Sequence, residues 1–189
     1  MGRELELKFT ATPAILEAIS CDGENWTTIS MATTYFDTDD GALAKKKYTL
    51  RQRLENGISV CTMKTPAAGF GRGEWSLEAS WSEETVKALL AAAGEKYIPF
   101  SKLHPICGAR FTRLAKTVEF SQCTVEIALD QGILSGGGQE IPLCEVEVEY
   151  KSGDEDAAIA WAQNFALQFG LQPEQYSKFY RARSLAKGE

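Results

Sequence analysis

The chain has 189 residues, of which 44% are hydrophobic and 24% are charged, a balance that suffices to form a buried core without a partner. Its net charge of -6 at neutral pH excludes a protein that binds nucleic acid through charge alone, since phosphate binding of that kind needs a net basic face. A local basic site is still compatible with this charge.

The five cysteines are odd in number, widely spaced and never at C-x-x-C distance, so they indicate neither a disulfide framework nor a zinc site. The first residues are charged, and no run of about 18 apolar residues occurs. We therefore expect a cytoplasmic protein with neither a signal peptide nor a membrane span.

Alternation of apolar and polar residues with period 2 runs through most of the sequence and predicts about eight β-strands. Short turns such as 55–57 and 135–139 join most of them. In chain order, the strands are predicted at residues 4–9, 33–38, 48–53, 58–64, 72–81, 109–120, 123–130 and 144–150.

Three helices are predicted between these strands. The first begins after Thr12, a good N-cap, with Pro13 at its first position. The second begins after Ser82 and ends at Gly94. The third covers residues 154–169, where the apolar residues form one stripe.

The short connections favour an antiparallel sheet, and charges on one face of several strands favour a closed barrel over an open sheet. The sequence has no strand-helix-strand rhythm, internal repeat or long linker. We therefore predict the α+β class: an eight-stranded antiparallel β-barrel, or tunnel, with helices packed outside, in a single domain over residues 1–189.

The first predicted strand carries charges on one face and apolar side chains on the other. Because residues i and i+2 of a strand share a face, Glu4, Glu6 and Lys8 point one way and the apolar residues between them point the other. Taken alone, this pattern is also typical of a half-exposed strand with a solvated face.

Carboxylates alternate in the same way on two later strands. Glu145, Glu147 and Glu149 share one face of the last predicted strand, and Glu126 and Asp130 share a face of the strand before it. Neighbouring strands bring such acids to within about 5 Å, where they repel, so cations are expected among them.

Basic residues follow the same period on other strands. They are Arg51, Arg53, Lys64, Arg72 ahead of Glu74, and Arg113, with Arg110 as the alternative to Arg113. A solvated sheet would rarely repeat this pattern on so many strands, so the charged side is expected to be the inside, with Leu5, Leu7 and Phe9 outside. Carboxylates suit Mg²⁺ or Mn²⁺, and Arg and Lys suit phosphate oxygens, so the lumen fits a polyphosphate bound with divalent metal.

Several short motifs also occur in a fixed order over nearly the whole chain. They are ExExK at 4–8, YxD at 35–37, LRxR at 50–53, Lys64, RxE at 72–74, EIALDxG at 126–132, ExExE at 145–149 and SK at 177–178. A single ExExK motif would be weak evidence for a family. The ordered set of motifs strongly resembles that of the CYTH family, also called triphosphate tunnel metalloenzymes.

The resemblance is closest to the bacterial inorganic triphosphatase branch of that family. Larger members of this branch carry a helical CHAD domain after the tunnel. We expect the 189 residues to hold the tunnel domain without a CHAD domain, which leaves open whether a separate partner supplies one.

The resemblance implies a tunnel that binds triphosphate with its basic residues and one or two Mg²⁺ or Mn²⁺ ions with its acidic ones. The implied metal ligands are Glu4, Glu6, Glu145, Glu147 and Glu149, with Glu74, Glu126 and Asp130 acting directly or through water. The implied phosphate ligands are Lys8, Arg51, Arg53, Lys64, Arg72, Arg113 and Lys178. The implied catalytic residues are Glu4, Glu6, Lys8 and Glu147.

The implied activity is metal-dependent hydrolysis of inorganic triphosphate to pyrophosphate and phosphate. Relatives with the same tunnel convert ATP into cyclic AMP, so a class IV type adenylate cyclase is the first alternative. A thiamine triphosphatase and a non-catalytic polyphosphate-binding module are the others. The expected partner is a triphosphate-containing small molecule such as tripolyphosphate or ATP, with no membrane and no specific nucleic acid, and a homodimer stays open.

Four remaining features are expected to be structural. The only histidine, His104, is expected in a loop before Pro105, so no histidine general base is predicted. The glycine-rich residues 67–73 are expected to form a mobile lip at the tunnel mouth, because no helix follows them. Residues 44–47 are expected to form a solvated turn, with electrostatic attraction of anions at the tunnel mouth as the alternative. Asp37 is expected to shape the turn that follows it.

Overall fold

A computed structural model of the protein describes residues 2–22, 24–66, 72–120 and 123–188, and no side chain is described for residues 2–4 and 72. Most of the glycine-rich segment expected to form a lip, residues 67–71, therefore lies outside the described residues.

Ten strands of the described residues form one antiparallel sheet. The strands are β1 (Gly2–Glu4), β2 (Glu6–Thr10), β3 (Thr27–Asp37), β4 (Thr49–Glu55), β5 (Ile58–Pro66), β6 (Arg72–Glu78), β7 (His104–Phe120), β8 (Cys123–Gly136), β9 (Gln139–Ser152) and β10 (Gln172–Pro173). Their order across the sheet is β1-β6-β5-β4-β3-β7-β8-β9-β2-β10. Each predicted strand is present, and the predicted class, an antiparallel tunnel-like sheet with helices, is confirmed.

The first predicted strand is divided into two, and this division joins the ends of the sheet. β1 pairs with β6 at one end of the sheet, whereas β2 pairs with β9 close to the other end. Leu5 alone separates β1 from β2, and its carbonyl oxygen accepts a hydrogen bond of 2.9 Å from the backbone N–H of Tyr150. The curled sheet is therefore linked across its opening by the chain itself.

Five helices accompany the sheet in the described part of the chain, together with a 3-10 turn. They are α1 (Pro13–Cys21), α2 (Ala42–Lys45), α3 (Glu83–Ala92), α4 (Glu155–Phe169) and α5 (Lys178–Lys187), with the 3-10 turn at Phe100–Lys102. The predicted N-caps are confirmed, since the side chains of Thr12 and Ser82 accept hydrogen bonds from the backbone N–H groups of Ile15 and Thr85. The sequence did not predict α2 and α5.

Two apolar cores lie on the outer face of the sheet. One joins β2, β8 and β9 to α1 and α4, where Phe9, Val125 and Val146 pack with Ile19 and Ala162. The other joins β4 and β5 to α2 and α3, and its buried residues are Leu43, Leu50, Cys61, Met63, Val86, Leu89, Leu90 and Leu103. The expected outward packing of Leu7 and Phe9 is confirmed.

The last helix, α5, packs on the inner face instead. Its buried Ala182 belongs to a cluster with Phe111, Leu134 and Leu143, which share the strand face that carries the interior charges. The helix fits because β8 has a glycine at the contact: a Cβ on Gly136 would lie 2.2 Å from the carbonyl oxygen of Ala182. The expectation that the helices pack outside is therefore wrong for α5, which fills part of the interior.

Three smaller expectations are also decided by the fold. His104 begins β7 instead of lying in a loop, and its half-exposed ring lies 3.8 Å from Asp39. The expected turn at 44–47 is partly wrong, because its first two residues belong to α2. Asp37 shapes the following turn as predicted, since its carboxylate accepts hydrogen bonds from the backbone N–H groups of Thr38, Leu43 and Ala44.

No helix among the described residues is long and apolar enough to cross a membrane.

Candidate functional site

The inner face of the sheet encloses a cavity of about 360 Å³. Strands from both halves of the sheet contribute to its wall, and the start of α5 covers one side. The lining residues are Glu6, Lys8, Ile29, Met31, Tyr35, Thr49, Arg51, Arg53, Glu55, Lys64, Glu74, Arg113, Glu126, Glu147, Glu149, Ser177, Lys178 and Phe179.

Most of the predicted site residues lie in this wall. The structure brings together Glu6, Lys8, Arg51, Arg53, Lys64, Glu74, Arg113, Glu126, Glu147, Glu149 and Lys178. Glu4 and Arg72 are paired in the backbone register of β1 and β6, but their side chains lie outside the description. Asp130 and Glu145 do not line the cavity, because both are fully buried behind its wall.

A row of three carboxylates crosses neighbouring strands on one side of the cavity. Glu6 of β2 is opposite Glu149 of β9, which is opposite Glu126 of β8. Opposite positions bring side chains to within about 5 Å, and carboxylates this close repel unless a cation lies among them. Lys151 supplies one such charge, with its ammonium 2.9 Å from Glu149 and 3.4 Å from Glu126.

Lys8 supplies a second positive charge at the same row. Its ammonium lies 3.1 Å from the carboxylate of Glu6, two residues earlier on the same strand face. Oxygen ligands from three adjacent strands are the donor set that hard divalent ions such as Mg²⁺ and Mn²⁺ prefer. The residues present at this row therefore fit a divalent metal ion.

A second charged group lies on β4, β5 and β6. Lys64 is directly opposite Glu74, and their charged groups are 3.3 Å apart, while Arg51 reaches to within 4.0 Å of the same carboxylate. Burial would raise the pKa of Glu74, but Lys64 and Arg51 outweigh it and lower that pKa. Glu74 therefore stays ionised, and it holds two cations at the cavity wall.

A buried ion-pair network lies between β7, β8, β9 and the start of α5. The Lys178 ammonium lies 2.7 Å from Asp130 and 2.8 Å from Glu147, and it also contacts Glu145. Arg113 binds Asp130 through two hydrogen bonds of 2.7 Å and reaches Glu147 at 2.5 Å.

Carboxylate oxygens of Asp130, Glu145 and Glu147 all lie within 4.8 Å of one another, as in a metal site. The ammonium of Lys178 contacts all three carboxylates, and Arg113 and Arg181 also pair with them, so side-chain cations already neutralise this cluster. Only Glu147 of the three also faces the cavity. The cluster thus fits a structural role that fixes Lys178 and Arg113 at the wall.

The acids of this network have opposite pKa shifts. Burial would raise the pKa of Glu147, but the charges of Lys178 and Arg113 hold it well below its ordinary value. For Glu145, burial outweighs the contact with Lys178, and with the help of the neighbouring Glu147 charge it raises the pKa to about 7. Burial would lower the pKa of Lys178, but its three carboxylate partners raise it instead, so the ammonium stays charged.

The structure also distinguishes the two arginines of β7 that the sequence offered as cavity residues. Arg113 lines the cavity, whereas Arg110 is exposed and pairs at 3.0 Å with Glu140 outside it. The preference for Arg113 over Arg110 as the cavity residue is consistent with this arrangement.

Sequence reasoning missed two cations that act on the site acids. Lys151 pairs with Glu126 and Glu149 at the carboxylate row, and Arg181 of α5 contacts the buried Glu145 and lies 3.5 Å from Glu174. The period-2 pattern indicates Lys151, which shares a face with Glu147 and Glu149 on β9. No sequence pattern indicated Arg181, because the helix that carries it was not predicted.

One part of the cavity wall is apolar. Ile29 and Met31 of β3 line it, together with Tyr35, whose ring centroid lies 5.1 Å from that of Phe179 of α5. The cavity therefore presents carboxylates, cations and a smaller apolar surface to the same ligand.

The fold and the cavity define the class of this protein: a curled antiparallel sheet whose interior wall carries both acids and bases. The model of the CYTH domain family matches residues 2–182, and the chain belongs to that family.

A curated relative is an inorganic triphosphatase from Haemophilus influenzae, which is 34% identical over 164 residues. The match covers 82% of this chain and 47% of the relative, so the chain spans about half the length of the curated relative that it matches.

Solved structures with the same fold have less similar sequences. A protein from Hippeastrum, described as a proposed adenylyl cyclase with a dominant triphosphatase activity, has a TM-score of 0.68 at 17% identity and covers 96% of this chain and 95% of its own. A protein from Pyrococcus horikoshii OT3 has a TM-score of 0.67 at 20% identity and covers 98% of this chain and 99% of its own. At these identities, the comparisons show the fold alone.

Proposed function

We propose that this protein is a divalent-metal-dependent triphosphatase that hydrolyses inorganic triphosphate to pyrophosphate and phosphate inside the cavity. The observation that carries the proposal is the joint presence of a carboxylate row and several phosphate-binding cations on one interior wall. The 34% identity to a relative named inorganic triphosphatase supports the same substrate class.

Glu6, Glu126 and Glu149 are the proposed metal ligands, with Glu4 two residues before Glu6 and with Glu147 and Glu74 on other parts of the wall. Asp130 and Glu145, also implied as ligands by the family resemblance, would act indirectly by holding Lys178 and Arg113. When bound, Mg²⁺ or Mn²⁺ supplies Lewis-acid charge neutralisation and makes water a better nucleophile.

The proposed phosphate ligands are the cations of the cavity wall. Lys8, Arg51, Arg53, Lys64, Arg113 and Lys178 all reach the cavity, and Arg72 is placed by its backbone at the same end of β6 as Glu74. Guanidinium groups can bind two phosphate oxygens at once, and ammonium groups bind as point charges. Together these cations would hold the phosphate groups of the substrate in line and neutralise the charge that develops on the transferred and leaving groups.

An ATP-cleaving cyclase is the second candidate. The apolar surface formed by Ile29, Met31 and Phe179 favours it, because a nucleoside needs an apolar or aromatic surface next to the phosphate site. Cleavage of ATP to cyclic AMP would use the same cations and metal ligands.

The test is a substrate panel of tripolyphosphate, ATP, thiamine triphosphate and longer polyphosphate, each with Mg²⁺ and with Mn²⁺. We expect phosphate release from tripolyphosphate that stops with a chelator and returns with either ion. Cyclic AMP formed from ATP in place of phosphate would favour the cyclase.

Substitutions of residues in the cavity wall make this test more specific. Glu6→Gln and Glu149→Gln should lower the rate about 100-fold, because each removes a carboxylate proposed to hold the divalent ion. Glu140→Gln is the matched control, because Glu140 is exposed and pairs with Arg110 outside the cavity. A parent protein that releases no phosphate with either ion, or a Glu6→Gln variant as active as the parent, contradicts the proposal.

Three further properties belong to the same proposal. We propose that residues 1–189 form a single domain, that the enzyme acts in the cytoplasm, and that its ligand is a small triphosphate. The five free cysteines of the chain suit a reducing compartment.

A further inference from the structure

Phe111 of β7 lies at the centre of three of the proposed phosphate ligands. The guanidinium carbons of Arg53 and Arg113 each lie 5.8 Å from its ring centroid, and the ammonium of Lys178 lies 5.2 Å from it. Cations within about 6 Å of an aromatic ring are attracted by its quadrupole. The three cations come from β4, β7 and α5, so one ring joins three elements of the wall.

The ring is held in place by its surroundings. Phe111 is buried and packs in the inner apolar cluster with Met31, Leu134 and Leu143. The residue opposite it on β8 is Gly132, where a Cβ would lie 2.5 Å from the Cα of Phe111. A side chain at 132 would therefore displace Phe111, and the glycine lets the ring stay under the cations.

The cations need such a partner because they repel one another. Burial and the charge of Arg51 lower the pKa of Arg53 to about 10, and Arg113 adds to this effect. Arg113 and Lys178 have close carboxylates, but the ion pair of Arg53 with Glu55 spans 4.0 Å. The Arg53 Nε group also donates a hydrogen bond of 2.9 Å to Thr33, which fixes its direction without adding negative charge.

We propose that Phe111 is a positioning residue for phosphate binding: its ring holds Arg53, Arg113 and Lys178 together before the triphosphate arrives. This inference rests on the proposed function, since the three cations are the ligands proposed there. Phe111 is not among the residues that line the cavity, so its proposed action is through the cations. Its effect is to keep three like charges preorganised, which lowers the cost of binding.

The test weakens the quadrupole of the ring while keeping the shape of the ring. Phenylalanines with one, two and three fluorine atoms, incorporated at position 111, keep the shape of the ring and progressively remove its quadrupole. Tripolyphosphate affinity is measured by calorimetry with a chelator present, so that metal ligands do not contribute. We expect affinity to fall stepwise, by about 10-fold for the trifluorinated ring. In separate kinetic assays with Mg²⁺, KM should rise more than kcat falls.

The matched control is the same series at Phe36, which is buried to a similar extent and stacks on Trp81 at the outer face. Phe111→Leu and Phe36→Leu give the simpler pair of variants. Equal affinities along the series at 111 would overturn the inference and leave the ring as ordinary core packing, even if stability falls at both positions.

The two proposals can be told apart in this experiment. A parent that binds tripolyphosphate without hydrolysing it overturns the hydrolase, while the fluorine series still decides the role of Phe111. A parent that binds no tripolyphosphate either with the chelator or with Mg²⁺ overturns both.

Discussion

Lys178 is a single buried cation on which three buried acids depend. Its ammonium contacts Asp130, Glu145 and Glu147, and the last two are also close to each other. Burying a charge is costly unless its partners are present, so removal of one partner leaves the others uncompensated. The pairing makes Lys178 important for folding as well as for the proposed phosphate binding.

Lys178→Met should lower the free energy of unfolding by about 3 kcal/mol, because it leaves three buried carboxylates without their shared cation. Urea denaturation measures this loss. Lys151→Met is the control, since the side chain of Lys151 is 37% exposed and its ammonium pairs with acids at the cavity surface. We expect that control to lose less than about 1 kcal/mol.

Equal losses in the two variants would contradict the prediction. A double variant, Lys178→Met with Glu145→Gln, should regain part of the stability, because Arg113 and Arg181 then compensate two buried carboxylates instead of three. A double variant that is less stable than the sum of the single changes would show that the three acids are not held by Lys178.

For single residues, the sequence predicted which face of a strand a charged side chain occupies, but not how deeply that side chain is buried. Glu126, Glu149, Asp130 and Glu145 all lie on the charged face, as period 2 requires. Only the first two reach the cavity. The difference comes from α5, whose Lys178 and Arg181 cover the other two, and a contact between residues so distant in sequence has no local signal.

The element that organises the site is α5. Its first residues supply Ser177, Lys178 and Phe179 to the cavity, and its buried Ala182 packs on β7 and β8. Ser177 caps the helix by accepting a hydrogen bond of 3.1 Å from the backbone N–H of Tyr180. The position of the whole helix therefore sets the position of one wall of the cavity.

Gly136→Ala should displace α5 and weaken the proposed activity. A Cβ at this position would meet the backbone of Ala182 at 2.2 Å, so the helix must move away from β8. We expect a loss of about 2 kcal/mol in stability, within the range for overpacking. Triphosphate hydrolysis and the hydrogen exchange rates of α5 amides are the measurements, and both should change.

The control for that variant is Gly138→Ala on the same hairpin. Gly138 has φ of +76° and no atom within 4 Å of an added Cβ, so the change strains the backbone without touching α5. It should cost about 1 kcal/mol and leave exchange in α5 unchanged. A Gly136→Ala protein with parental exchange rates in α5 would show that the close approach does not position the helix.

Sequence patterns predicted most of the longer elements, but they did not predict α5. The eight predicted strands and the three predicted helices are present because each carries a clear local period or cap. In α5, the residues that turn inward include Lys178 and Arg181, so the buried face is partly charged and shows no apolar stripe. The sequence pattern also did not indicate the division of the first strand at Leu5, because this division depends on pairing with two distant strands.

Across the whole molecule, interior charges balance one another instead of facing water. Acids of β8 and β9 pair with cations from β7 and α5, and Glu74 of β6 pairs with cations from β4 and β5. Such a network stabilises the fold only while both signs are present. Its stability must therefore depend on pH, and the two glutamates with opposite pKa shifts should contribute with opposite signs.

Glu147 should stabilise the fold at neutral pH and lose that effect in acid. Its folded pKa lies well below the ordinary value of 4.5, so its contribution is fully present above about pH 4.5 and is lost as pH falls through the folded pKa. Glu147→Gln should therefore be less stable than the parent at pH 7, by about 3 kcal/mol. The difference should shrink below pH 4.5 in urea denaturation at a series of pH values.

Glu145 should show the opposite trend in the same measurement. Its folded pKa is raised to about 7, so the folded state holds a proton that the unfolded chain releases near pH 4.5, and this contribution is lost as pH rises from 4.5 to 7. Relative to the parent, Glu145→Gln should gain stability over that interval, whereas Glu147→Gln should not. Glu140→Gln, an exposed control, should stay within about 0.5 kcal/mol of the parent throughout. Stability differences that are constant with pH for both buried variants would contradict the opposite shifts of the two pKa values.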